Sequence, residues 1–258
     1  MKLRLRPFSS HLENLTPSVT PGQSEPPSAL VEPCVGTAVA KTTPLVAPRR
    51  GYEFTKRLLD VTICVMILPF IVLIMALIAL AIRLDSPGPI LFRQARAGRR
   101  GQPFQMLKFR TMPDIVPDER GREFMKAYVR GEIGSDNRNS GQQVYKPQLA
   151  VTRVGRFLRK TSLDELPQIF NVLRGEMSLV GPRPHALWEV EEYLEWHRER
   201  LAALPGITGL AQVRGRSGIT FDRLVRYDIE YVRQQTLKTD LKILCRTAIS
   251  VLWARGAA

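Results

Sequence analysis

The chain has 258 residues, 44% of them hydrophobic, and its 38 Lys+Arg against 24 Asp+Glu give a formal net charge of +14. This length can bury a real core in one large or two small domains, and the composition excludes a disordered polyelectrolyte or a collagen-like rod. Three scattered cysteines (Cys34, Cys64, Cys245) with no CxxC pair exclude a disulfide framework or structural zinc site and fit a reducing compartment. The charge calls for an anionic partner: nucleic acid, a phospholipid surface or a phosphorylated substrate.

Residues 1–50 hold eight of the 19 prolines and no hydrophobic periodicity, which predicts a disordered tail. No apolar run follows Met1-Lys2, so this tail does not read as a secretory signal. Residues 51–85 contain a different element. Val61 to Ile82 is uncharged throughout, and a helix of that length measures roughly 33 Å, enough to cross a hydrocarbon core of about 30 Å. Lys56 and Arg57 precede it, and Arg83 with further arginines follows. Basic flanks mark the cytoplasmic side, so both ends claim the same side of a membrane. Pro69 lies inside the segment and bends a helix. A bent helix that enters and leaves by one leaflet resolves the conflict. The other solution is a kinked spanning helix oriented by the downstream arginines.

Residues 86–258 have ordinary globular composition. Asp85-Ser86-Pro87-Gly88-Pro89 is a turn cluster, and short strands at 90–92 and 104–109 flank a turn at 97–101. Residues 113–148 are polar and read as a variable insertion. Helical spacing follows at about 162–174, 186–203, 221–233 and 238–254. The last carries Leu241, Leu244, Ala248 and Val251 on one side, which suits a bilayer surface or the domain's own core equally well. The expected fold class is thus α+β and membrane-associated. It has an N-terminal re-entrant or spanning helix, a small sheet element and several amphipathic interfacial helices.

No Walker A loop, GxGxxG, HExxH, zinc finger or helix-turn-helix pattern occurs. No aromatic residues interleave with the basic clusters as an RNA platform requires, so nucleic acid is not an expected partner. The densest signal is Arg153 to Gln168, in which four cations run into the adjacent carboxylates Asp164 and Glu165. Ser162 and Glu165 have capping-box spacing, which puts both acids in a helix's first turn, where the positive helix end and the nearby arginines keep Asp164 ionised. Such a carboxylate beside cations suits nucleophilic attack on phosphorus or the holding of Mg²⁺, although Ser-x-x-Glu also caps helices that do no chemistry. Arg183 stands between Pro182 and Pro184, which helps fix its guanidinium. Six cations lie between Arg93 and Arg110 without an acid. Arg93 to Arg100 suit lipid headgroups or substrate equally; Lys108 and Arg110, alternating with Leu107 and Phe109, suit substrate.

Lys56-Arg57-Leu-Leu-Asp60, Asp85-Ser-Pro-Gly-Pro89, Lys108-Phe-Arg-Thr-Met112 and Thr161-Ser-Leu-Asp-Glu-Leu-Pro-Gln168 together resemble the bacterial sugar transferase family of monotopic phosphoglycosyl transferases. So do Phe170-Asn-Val-Leu, Ser178-Leu-Val-Gly-Pro-Arg-Pro184 and Pro205-Gly-Ile-Thr-Gly-Leu-Ala-Gln212. The resemblance runs from about residue 54 to 256. It implies transfer of sugar 1-phosphate from a UDP-sugar to undecaprenyl phosphate, with release of UMP and a phosphosugar ester on Asp164. Glu165 assists, and Mg²⁺ at Asp164 neutralises the diphosphate. Arg159, Arg183, Lys108, Arg110 and Arg216 make up the phosphate-binding set, and Lys56, Arg57, Pro69 and Arg83 the membrane interface. The implied location is the bacterial inner membrane with the catalytic domain on the cytoplasmic face, and a homo-oligomer is left open. The family's usual Ser-Pro break falls near Val72-Leu73, one turn after Leu68-Pro69. A membrane-anchored scaffold without activity is the competing reading; against it, all of Asp164, Glu165, Arg159 and Arg183 are present.

Overall fold

Nothing between Val61 and Ile82 terminates a helix except Pro69, and one proline costs a single backbone hydrogen bond. In the computed structural model, which describes residues 50–113, 119–132, 151–215 and 219–252, α1 runs unbroken through Pro69 from Arg50 to Asp85. One stripe of it faces protein. Asp60, Cys64, Ile78 and Ile82 are buried, and Ile63, Leu68, Ile71 and Met75 pack partly against the core. These positions recur every three or four residues, the spacing of one helix face. The other faces are bare: Met66 is 70% exposed, Phe70 74% and Leu73 66%. Such a continuous apolar surface suits lipid rather than water.

Polar groups pin both ends of this helix to the same globular body. Near the N-terminal end, the buried Asp60 carboxylate accepts from Ser178 Oγ at 2.6 Å. Lys56 pairs with Asp240 at 3.0 Å, and Tyr52 donates to the same carboxylate at 2.8 Å. Arg57 donates to the carbonyls of Val172 and Leu173, the open C-terminal end of the next but two helix, where a cation is favoured. Lys56 and Arg57, expected at the membrane interface, are therefore engaged with protein. At the other end Asp85 accepts from the Val154 backbone N–H at 3.1 Å. Arg83 is exposed there and donates to the Gly88 carbonyl at 3.2 Å.

The predicted hairpin forms and is longer than expected. β1 (Leu91–Ala97) and β2 (Pro103–Phe109) pair antiparallel from Leu91↔Phe109 to Ala97↔Pro103. α2 (Glu119–Val129) lies inside the polar insertion, and its Tyr128 meets Phe221 edge to face at 5.7 Å. The basic run at 153–160 is itself a helix, α3 (Arg153–Thr161), capped by the Thr152 hydroxyl. It buries Leu158 with Phe109, Ile78 and Ile82.

The helix expected at 162–174 is divided. Leu163–Glu165 is a single 3-10 turn, and α4 (Gln168–Arg174) starts after Pro167. The stretch at 186–203 likewise splits into α5 (Leu187–Glu191) and a 3-10 segment, Glu195–Ala202. Two strands escaped the sequence reading: β3 (Ser178–Val180) and β4 (Gly206–Thr208), which pair parallel. They approach so closely that a Cβ on Gly206 would lie 2.0 Å from the Gly181 nitrogen. The short α6 (Leu210–Arg214) leads to α7 (Phe221–Arg233), which has the predicted limits, and α8 (Leu237–Leu252) closes the fold. α8 docks through Asp240, Ile243 and Thr247, leaving Leu241 and Ile249 exposed at 61% and 58%. Leu241 and Ala248 thus face away from the core.

Candidate active site

Asp164 and Glu165 sit on the 3-10 turn between α3 and α4, and the chain reverses just before them. Ser162 adopts a left-handed conformation (φ 57°) as the C-terminal cap of α3. It also precedes the 3-10 turn, but its side chain makes no capping bond, and the expected Ser162–Glu165 capping box does not form, because the Glu165 side chain is engaged elsewhere. One oxygen, Oε1, accepts from Lys108 Nζ at 2.9 Å and from Arg183 at 2.8 Å. Lys108 reaches it from β2, where alternation puts it on the face of Phe104 and Met106. Arg183 reaches it from the Gly181–Pro184 loop, which the Gly181 N–H fixes by donating to Thr208 and the Gly206 N–H by donating to Pro182.

The two carboxyls are set apart by their surroundings. Burial pushes Asp164 above its ordinary value, with Lys108 opposing, Glu165 reinforcing and Arg159 opposing. The cations Lys108 and Arg159 favour the ionised form, as expected of the arginines near this turn, but desolvation is the largest effect and the single 3-10 turn does not offset it. Burial would raise Glu165 too, but the charges of Arg183 and Lys108 prevail and hold it below its ordinary value. Among the described residues, no side chain forms an ion pair with Asp164, whereas Glu165 carries two cations.

A cleft opens beside the turn, lined by Arg96, Met106, Glu165, Gln168, Arg183, Pro184, Gly206 and Ile207. Arg96 and Gln168 are thus the residues that sequence reasoning did not single out. Arg96 lay in a basic run with no local feature to separate it from its neighbours; its placement comes from the bridge Arg96↔Ala186, which joins β1 to the loop after Pro184. Arg99 from the same run is turned away and pairs with Glu53 at 2.5 Å. Arg159 is exposed at the end of α3, with Nε donating to Thr111 at 3.0 Å. Arg110, expected to bind substrate with Lys108, points elsewhere. It is 8% exposed and donates to Pro87 O, Ser86 O and Ser86 Oγ at 2.6–2.8 Å. Its role is to clamp the 85–89 turn, and Gly88 (φ +117°) is needed there because a Cβ would lie 2.1 Å from the Arg110 guanidinium. Arg216 lies outside the described residues.

A buried relay supports the Arg183 loop from behind. Arg200 is 1% exposed and pairs with Asp228 at 2.6 Å. It also donates to Tyr193 Oη at 2.6 Å and to the Arg183 carbonyl at 2.7 Å. The Tyr193 hydroxyl proton is then directed to His185 Nδ1 at 2.6 Å. Burial, reinforced by Arg200, Arg96 and Arg183, drives His185 well below its ordinary value, so it is neutral. Neither His185 nor Tyr193 stood out in the sequence, because the relay is assembled from separate elements.

Mg²⁺ needs oxygen ligands and takes one or two carboxylates together with substrate phosphates. Among the described residues no three His, Cys, Asp or Glu side chains converge on one point. Asp164, a carboxylate not committed to a cation, fits that sparse mode of binding.

Residues 51–254 match the family described as bacterial sugar transferase. The chain is 44% identical over 224 residues to a UDP-glucose:undecaprenyl-phosphate glucose-1-phosphate transferase of Caulobacter vibrioides, covering 81% of this chain and 74% of that protein. It is 38% identical over 253 residues to an undecaprenyl-phosphate glucose phosphotransferase of Komagataeibacter xylinus, covering 90% and 43%. With an undecaprenyl-phosphate galactose phosphotransferase of Salmonella typhimurium it shares 39% over 209 residues, covering 81% and 43%. It therefore spans less than half the length of these last two relatives. The match takes in the membrane helix, the Asp164–Glu165 turn and the cations around it, and the chain belongs to the bacterial sugar transferase family.

Proposed function

We propose that the chain transfers sugar 1-phosphate from a UDP-sugar to undecaprenyl phosphate, starting assembly of a surface polysaccharide or glycoconjugate, through a phosphosugar ester on Asp164. The observation that carries this reading is a carboxylate without an ion-pair partner among the described residues, next to Lys108, Arg159 and Glu165 and beside a cleft holding Arg96 and Arg183. An Asp164 oxygen attacks the phosphorus that bears the sugar, and the bond from that phosphorus to the bridging oxygen breaks. UMP leaves with that oxygen. An oxygen of the lipid phosphate then attacks the same phosphorus and frees the Asp164 carboxylate. Arg96, Lys108, Arg159 and Arg183 screen two anionic substrates that would otherwise repel each other. Mg²⁺ held by Asp164 and the donor's phosphate oxygens would neutralise the diphosphate. The assay is incubation of membranes with radiolabelled UDP-glucose, UDP-galactose or N-acetylated donors and undecaprenyl phosphate. Label in the lipid fraction from one donor supports the reading, and none from any donor with Mg²⁺ present overturns it.

The acid side of the rate profile follows from the split carboxyls. Asp164 lies above its ordinary 3.8 and Glu165 below its ordinary 4.5. As pH falls, Asp164 is protonated first and loses nucleophilicity while Glu165 is still charged. The acid limb of kcat is therefore expected above pH 3.8 and to vanish from the remaining rate of variants at Asp164. For stability the signs differ. Glu165 stabilises above its unfolded value and loses that effect as pH falls through its lower folded value. Asp164 costs stability as pH rises through its raised one.

Attachment of both ends of α1 to one globular body supports engagement of the bilayer from one face, on the cytoplasmic side of the inner membrane. A straight span would carry those ends about 30 Å apart to opposite faces. Single cysteines placed at Phe54 and Leu84, in a background lacking the native ones, are both expected to resist an impermeant thiol reagent added outside intact cells. Labelling of one of them alone would contradict entry and exit by the same face.

A further inference from the structure

Arg96, Arg183 and Glu165 line the cleft, and a single Glu165 oxygen answers both Arg183 and Lys108. Glu165 Oε1 is 2.9 Å from Lys108 Nζ and 2.8 Å from Arg183. Arg96 lines the same cleft, largely desolvated, and has a carboxylate of its own in Glu189 at 3.7 Å. Lys108 and Arg183, drawn to the same oxygen, repel each other and need a shared counter-charge. Glu165 and Lys108 are each 17% exposed, so that contact is shielded, whereas Arg183 is 48% exposed and its contact with Glu165 is open to solvent. The arrangement copies what a phosphate does: one anionic oxygen bridging an ammonium and a guanidinium.

We propose that Glu165 is a placeholder for a substrate phosphate: it holds Lys108 and Arg183 until a diphosphate displaces it to bind. The inference rests on the phosphoryl-transfer reading for the identity of the natural ligand, but the competition itself concerns only an anion and two cations. Binding is weakened by the fraction of molecules in which the carboxylate holds the cations, so affinity is exchanged for a cleft that stays ordered and closed to weaker anions. Arg183 and Lys108 then change partner together when the donor enters, and the Glu165 carboxylate is released beside Asp164 only once a diphosphate is in place.

The test uses inorganic pyrophosphate, which has neither sugar nor lipid, titrated calorimetrically into the detergent-solubilised full chain. Glu165→Gln removes the competing charge at nearly constant shape, and Glu165→Asp is too short to bridge both cations. Both are expected to bind pyrophosphate more tightly than the unmodified chain, Glu165→Gln by about tenfold, while transfer activity falls. Adding Lys108→Met should shrink the gain from Glu165→Gln to about threefold or less, because one of the two competed contacts is gone. Thermal unfolding identifies any variant that fails to fold, and the other variant then decides. Equal or weaker pyrophosphate binding in the folded variants overturns the placeholder. If the unmodified chain transfers sugar phosphate and the variants bind no tighter, the placeholder alone fails. If the variants bind tighter and no donor is ever turned over, the reaction fails and the placeholder stands.

Discussion

Replacing Asp164 by Asn is expected to lower kcat by at least about 10³-fold, the scale seen when a covalent nucleophile is removed. The amide fills the same space in the turn between α3 and α4, and Asp164 carries no ion pair among the described residues, so the fold should be unaffected. Stability should even rise slightly near neutral pH, because burial makes the ionised carboxyl costly there. Loss of activity without loss of stability separates a reacting group from a structural one. Steady-state transfer rates alongside thermal unfolding of the same preparation provide the check. Activity within tenfold of the unmodified chain would remove Asp164 from the reaction.

The second large effect is expected at Arg200. Replacing it by Met leaves Asp228 buried without a counter-charge, which costs about 3–5 kcal/mol. For a chain of this size that lowers Tm by roughly 10 °C. The loss extends to the site, because Arg200 also donates to the Arg183 carbonyl and to Tyr193. At temperatures where the variant stays folded, KM for the donor should therefore rise as Arg183 loses its fixed backbone. Arg214 offers the contrast. It pairs with Glu230 at 2.7 Å, but the two side chains are 41% and 33% exposed, and Arg214→Ala should change stability by less than about 1 kcal/mol. Circular dichroism melts compare them directly. Equal shifts for the two variants would contradict the weight given to burial.

Much of the architecture is legible in the sequence wherever a signal is local. The uncharged run from Val61 to Ile82 reads as one helix and is one. The period-two pattern around Lys108 gives the hairpin, and the amphipathic run at 221–233 gives α7 to the residue. The Asp164–Glu165 pair stands out because four cations precede it. Features created by long-range contact are not legible. β3 and β4 have three residues each and exist because Gly181, Gly206 and Gly209 let two backbones touch. Ser162 looks like a helix start and ends one instead, since Lys108 and Arg183 claim the Glu165 side chain that a capping box would use. Arg110 shares strand parity with Lys108, but it stands just past the end of β2, where the carbonyls of Ser86 and Pro87 capture it. Charge alone does not distinguish a cation that holds a turn from one that holds a substrate.

In the proposed reaction a phosphosugar becomes attached to Asp164 before any lipid acts. The direct measurement is intact and peptide mass spectrometry of the full chain after incubation with its UDP-sugar donor and Mg²⁺, with undecaprenyl phosphate withheld. The expected result is an added mass of one sugar phosphate on the peptide containing Asp164, UMP released in equal amount, and loss of the adduct when lipid phosphate is supplied. Neither signal should occur in Asp164→Asn. Efficient lipid-dependent transfer with no adduct and no UMP released before the lipid is added would mean direct transfer between the two substrates, and would contradict the account.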